Sequence, residues 1–141
     1  YISPSPKYED LTIQNGRLYT LDAKKNKRHF ISSLSLNLDN HQVTYVYDGK
    51  NYVRVDNTNK SILNADEVRN IIVDRKLNIP DDIYHLIPEE NAPEKFPDIN
   101  KWPIPSHERN NCYLVSAFLM VMIETFYSNQ EYNKKRTILK T

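Results

Sequence analysis

HQVTYVYDGKNYVRVDN, residues 41–57, reads as a β-hairpin, and the rest of the chain has to pack against it. Its first arm carries Val43, Tyr45 and Tyr47; its second carries Tyr52, Val53 and Val55. Asp48-Gly49 between them is a strong two-residue hairpin signal, because glycine reaches the positive φ that such turns require. A tight turn there folds the arms antiparallel. His41 and Asp56, at the two open ends, then come close to opposite one another, and cross-strand partners have Cβ atoms roughly 5 Å apart. In that geometry a carboxylate holds an imidazole's tautomer and orientation.

Upstream, LTIQNGRLYTL (residues 11–21) repeats the pattern around Asn15-Gly16, and these two turns hold the only glycines in the chain. HFISSLSLNL (29–38) alternates Ile31, Leu34, Leu36 and Leu38 imperfectly and reads as another strand. Residues 10–56 are therefore expected to form an antiparallel sheet of about five strands. Downstream the period changes. In NADEVRNIIVDRKL, Asn64 caps, Asp66 and Glu67 suit a first turn, and Val68, Ile71 and Ile72 recur at helical spacing, giving a helix over 65–77.

From 79 to 105 six prolines (80, 88, 93, 97, 103 and 105) argue against regular structure. Phe96, Ile99, Trp102 and Ile104 give this stretch apolar teeth, which favours a strap across the sheet over a loose linker. The last element is a helix over about 112–127, apolar around most of its circumference and so buried on several sides. The tail NQEYNKKRTILKT is polar and basic and is expected to fray. The outcome is one α+β domain in three parts: 1–78 with sheet and helix, 79–105 as strap or connector, and 106–141 with the buried C-terminal helix and basic tail.

Composition narrows the function. The chain has 141 residues, one cysteine and a net charge of +1. The size suits one domain. The near-balanced charge implies no strong field for nucleic acid or an anionic membrane, and NKKR and KKNKR read as solvated faces. One cysteine excludes an internal disulfide and a Cys-rich zinc site and suits a reducing compartment such as the cytoplasm. YLVSAFLMVMI is shorter than the about 20 residues a membrane span needs. The chain opens on Tyr1 rather than methionine, as a processed product or a piece of a longer protein does.

Cys112 stands where polar sequence gives way to that apolar run. A thiolate is the reactive form of cysteine, and a helix N-terminus favours it through free backbone N–H groups and the positive end of the dipole. Asn110 and Asn111 precede it and suit a cap. The alternative is a small buried residue with an inert thiol. If Cys112 is a nucleophile, His41 and Asp56 are the base and orienter it needs. His29 and His85 have no such neighbour in a recognisable pattern and receive no role.

NNCYLVSAFLMV (110–121) resembles the cysteine box of ubiquitin-specific proteases and of viral papain-like proteases, and residues 41–57 resemble the histidine box of the former. YTLDAKKNKRHFISSLSLNLDN (19–40) is similar to the strands that lead to that histidine. The resemblance implies a papain-like fold and a cysteine hydrolase with Cys112 as nucleophile, His41 as general base and Asp56 as its orienter. Asn57, the second member of the acidic pair, is the lesser orienter. His107, five residues before the cysteine, matches an oxyanion donor beside the Cys112 N–H, and Asn111 completes the set of site residues.

The resemblance also implies a protein substrate, in the form of ubiquitin, a ubiquitin-like tail or a polyprotein, with neither cofactor nor metal. The boxes here stand in reverse order, His41 and Asp56 before Cys112, so the match requires a circular permutation or a chain spanning two modules. Triad chemistry depends on geometry and not on chain order. Asn40 and Asn111 replace the glycines usual before the two catalytic residues, and Gln42 replaces a common aromatic. These departures give the second expectation: an inactive, protease-like binding or assembly module, a fragment of a larger viral protein acting in a host cell or virion.

Overall fold

The computed structural model describes residues 11–22, 27–39, 41–56, 59–75, 84–91, 93, 95–103 and 112–140. Among them the chain forms seven strands, β1 (Thr12–Gln14), β2 (Arg17–Asp22), β3 (Lys27–Leu38), β4 (His41–Tyr47), β5 (Tyr52–Asp56), β6 (Asn59–Leu63) and β7 (Tyr84–Pro88). Two helices, α1 (Ala65–Asp74) and α2 (Cys112–Lys140), complete the α+β fold, and every strand pairing is antiparallel. The expected five strands are β1 to β5, and two more extend the sheet. β6 escapes a reading by alternation because it is short and mostly exposed, with Ile62 68 % exposed. β7 lies inside the proline-rich stretch. Its Pro88 is the last residue of an edge strand, where a missing N–H costs no ladder bond.

β3 is the axis of the sheet. Phe30 lies opposite both Tyr19 of β2 and Ile87 of β7, while Leu34 lies opposite both Tyr45 of β4 and Tyr84 of β7. A strand has only two edges. β7 therefore runs along one edge of β3, and β2 and then β4 follow one another along the other. The register with β7 shifts between Ile31 and Ser33, leaving Ser32 as an extra residue. A bulge of this kind bends a strand and increases its twist. It also accounts for the imperfect alternation of HFISSLSLNL.

At the handover from β2 to β4, backbone groups of β2 and β3 would lose their ladder partners. The buried Tyr52 hydroxyl takes their place: it donates to Ile31 O at 2.8 Å and accepts from Leu18 N–H at 2.9 Å. Burial pushes its ionisation far above the ordinary range for a tyrosine, so it remains an O–H donor at any working pH.

Each face of the sheet carries one helix. On the first, Leu34, Leu36, Leu38, Val43, Tyr45, Tyr47 and Tyr52 pack with Ala65, Val68 and Ile72 of α1. α1 starts at a capping box in which Glu67 N–H donates to Asn64 Oδ1 and Asn64 N–H to Glu67 Oε1. It ends at Asp74, short of the expected 77. On the second face Val46, Val53 and Val55 pack with Val115, Leu119, Ile123 and Tyr127 of α2.

α2 continues to Lys140, well past the expected 127. Its Gln, Glu, Lys and Arg residues are good helix formers, and Gln130 is tied to the strap, accepting from Lys95 N–H and donating to Lys95 O. The strap itself joins the two layers. Phe96 meets Phe30 and Tyr47 edge-on in the first, while Ile99 is buried in the second and Trp102 lies against Phe126. Lys60 Nζ donates to Ile99 O. Ile104 lies outside the described residues.

Both glycines sit at positive φ, Gly16 at +73° and Gly49 at +104°. A Cβ on Gly49 would stand 3.2 Å from the Phe96 ring. The Gly49 turn is thus both a hairpin turn and the seat of the strap, at the end of β4 away from His41.

Removing the Tyr52 hydroxyl with Tyr52→Phe leaves Leu18 N–H and Ile31 O buried without partners. The expected loss is about 1–3 kcal/mol, read from the urea unfolding midpoint with an unchanged slope.

Candidate functional site

His41 is the first residue of β4 and pairs with Leu38 of β3 across a tight turn. Asp39 takes the left-handed conformation there, at φ +54°, and its carboxylate is held by Arg75 Nη1 at 3.2 Å from the end of α1. Aspartate is one of the few residues besides glycine that tolerate positive φ. Asn40 itself lies outside the described residues.

Across the hairpin, His41 Nε2 contacts Asp56 Oδ1 directly. The second carboxylate oxygen, Oδ2, is 3.4 Å from Arg54 Nη1, two residues back on the same face. Asp56 is therefore held from two sides. With side-chain exposures of 37 % and 24 %, the His41–Asp56 pair is partly open to solvent. Arg54 carried no role in the sequence reading, although its i, i+2 spacing from Asp56 on a strand puts the two on one face.

α2 opens at Cys112. The cysteine side chain, Asn111, Asn57 and His107 lie outside the described residues. What the structure does fix is the approach of the helix. Ser116, one turn after Cys112, accepts a hydrogen bond from Thr44 Oγ1 at 2.7 Å, and Ser33 Oγ lies 3.7 Å from Met120 Sδ. Ser33 pairs with Val46. Going from Ser116 to Met120 thus moves along β4 from Thr44 toward Val46, so helix and strand run in the same sense.

Traced backward from the Thr44–Ser116 contact, α2 reaches Cys112 after about 6 Å and β4 reaches His41 after about 10 Å, toward the same end of the sheet. The faces differ, however. His41 keeps step with Val43 and Tyr45, on the α1 side of the pleat, whereas α2 covers the other side. A meeting of imidazole and sulfur has to occur around the end of the strand and not through the sheet.

Among the described residues no group of three or more histidine, cysteine or acidic side chains converges as a metal site, and no helix is long and apolar enough to cross a membrane. No protein-family model, no curated protein and no solved structure matches the chain.

Thr44→Val removes the donor to a fully buried contact and leaves Ser116 Oγ without its partner. The variant should lose about 1–3 kcal/mol, and adding Ser116→Ala should recover part of that loss in a double-mutant cycle on urea midpoints.

Proposed function

We propose that the protein is a cysteine hydrolase of papain-like, circularly permuted character that cleaves a peptide or isopeptide bond in a protein substrate. One observation carries this reading: the His41–Asp56 pair stands at the end of the sheet where the helix headed by Cys112 begins. The Cys112 sulfur attacks the scissile carbonyl and forms a thioester as the C–N bond breaks. His41 takes the thiol proton and delivers it to the leaving amine. It then deprotonates the water that releases the acid and regenerates the thiol. Asp56 orients the imidazole, with Arg54 holding the far oxygen of its carboxylate. His107 and the Cys112 N–H are the proposed oxyanion donors, with Asn111 beside them. The resemblance of the two boxes to those of ubiquitin-specific proteases favours ubiquitin, a ubiquitin-like tail or a polyprotein as substrate, and a reducing compartment as the place of action.

A second reading is favoured by the pleat of β4, which sets His41 on the α1 face. If the imidazole keeps to that face, the chain is a protease-like binding or assembly module and Cys112 is a packed thiol.

The two readings separate on one experiment. The protein is treated at neutral pH with iodoacetamide, and separately with ubiquitin bearing a C-terminal electrophile. Modification of Cys112 is followed by mass spectrometry in the wild type and in His41→Ala. The hydrolase reading expects fast labelling that falls on the order of 100-fold in the variant, the usual scale for loss of a general base. Labelling that requires denaturant, or that is equal in the two proteins, overturns the hydrolase reading and supports a packed, inert thiol.

A further inference from the structure

His85, for which the sequence suggested no role, is the most heavily engaged of the described histidines. It sits on β7 opposite Ser33 and beside the Ser32 bulge. Ser32 Oγ donates to His85 O at 2.8 Å and also contacts His85 Nδ1. A hydroxyl has one proton, and a carbonyl oxygen only accepts. The ring nitrogen at Nδ1 must therefore carry its own hydrogen and donate to Ser32 Oγ. That fixes the neutral tautomer and leaves Nε2 as the position where a proton can add. The ring stacks on Tyr127 of α2, centroids 5.3 Å apart and planes 15° from parallel. Tyr127 in turn meets Phe126 edge-on, and Phe126 lies against Trp102 of the strap. A charge on this imidazole would thus arise inside the seam where α2, the strap and the sheet edge meet.

We propose that His85 is an acid-sensitive latch: taking up a proton at Nε2 loosens α2 from the β3–β7 side of the sheet. Burial already lowers the proton affinity of the ring below the ordinary histidine value of 6.5, with Glu124 of α2 pulling the other way. Other titratable and charged groups stand on the neighbouring strands and on the strap, where Lys101 is 3.9 Å from Asp98, and His29 of β3 lies opposite Pro88 of β7. Arg28 of β3 is 3.8 Å from Glu89, just past β7, and stacks over Tyr19; Arg17 of β2 acts on Tyr127 and on the rings of Phe30, Tyr47 and Phe96.

The sign follows from linkage. The docked state holds His85 neutral at pH values where an undocked histidine is already protonated. The contribution of the latch is complete above about pH 6.5 and is lost as pH falls below it, through the lowered value of the docked state.

The test compares wild type with His85→Asn, whose side-chain amide keeps a donor toward Ser32 but does not ionise. Urea midpoints are measured at pH 7.5 and pH 5.0, with amide hydrogen exchange followed over residues 116–127. The wild-type midpoint should drop more on acidification than that of the variant, and protection factors in α2, corrected for the intrinsic pH dependence of exchange, should fall at pH 5.0 only in the wild type. Equal acid sensitivity in both overturns the latch. If His85→Asn does not fold, NMR titration of the His85 ring in the wild type decides: a midpoint below 6.5 supports the latch, and one at or above 6.5 refutes it.

Discussion

The Tyr52 hydroxyl bridges the sheet at the one place where its central strand changes partners. β3 has to leave β2 and take up β4 on the same edge, and any such handover strands a donor on one strand and an acceptor on the other. A buried N–H or C=O left without a partner costs about 1–3 kcal/mol. One phenol answers both, accepting from Leu18 and donating to Ile31. Its ring also lies against Tyr47, whose ring meets Phe30 and Phe96, so the same side chain ties the fork to the core beneath α1 and to the strap. The bulge at Ser32 is the matching adjustment on the other edge of β3. The bulge bends β3 where β7 lies along it, on the edge opposite the fork.

The second helix is held by a different balance. Val115, Leu119 and Ile123 supply area, but the contacts that set its position along β4 are polar: Thr44 to Ser116, Ser33 to Met120, Gln130 to the strap backbone. Apolar burial is non-directional, so it presses a helix onto a sheet without choosing its register. The hydroxyl contacts choose it. Small polar residues on the inner face of β3 and β4, which look like interruptions of a hydrophobic pattern, are what aligns the head of α2 with the start of β4.

The hairpins were legible because Asn-Gly and Asp-Gly between β-prone arms leave the backbone few alternatives, and Gly16 and Gly49 both adopt the positive φ these turns demand. The capping box at Asn64 was legible for the same reason: it is local. β6 and β7 were not, because neither buries an alternating face of its own. Each exists by borrowing the ladder of a neighbour, β5 or β3, which is information from elsewhere in the chain. The length of α2 was misread because a polar run following an apolar one looks like a tail, whereas the partner of Gln130 lies 35 positions earlier. The proximity of His41 and Asp56 could be read from the turn between them. Arg54 as a second holder of Asp56 could also have been read, and was missed. The stack of His85 on Tyr127 could not, since the two residues are brought together only by the bulge in β3 and the path of α2.

Chain order matters less here than where each element ends. A nucleophile on a helix and a base on a strand can serve one reaction only if their termini coincide in space, because the interior of a pleated sheet separates one face from the other. In this fold β4 and α2 run in the same sense and start at the same end, while the strap, seated on Gly49, occupies the far end of β4. The turn at Asp39, anchored by Arg75, sets where β4 begins, and the Thr44–Ser116 bond sets where α2 begins. His41 keeps to the face of Val43 and Tyr45, and the contact with Asp56, which shares the face of Tyr52 and Arg54, holds it there. The carboxylate of Asp56, itself shared between His41 and Arg54, thus fixes the imidazole at the open end of the hairpin.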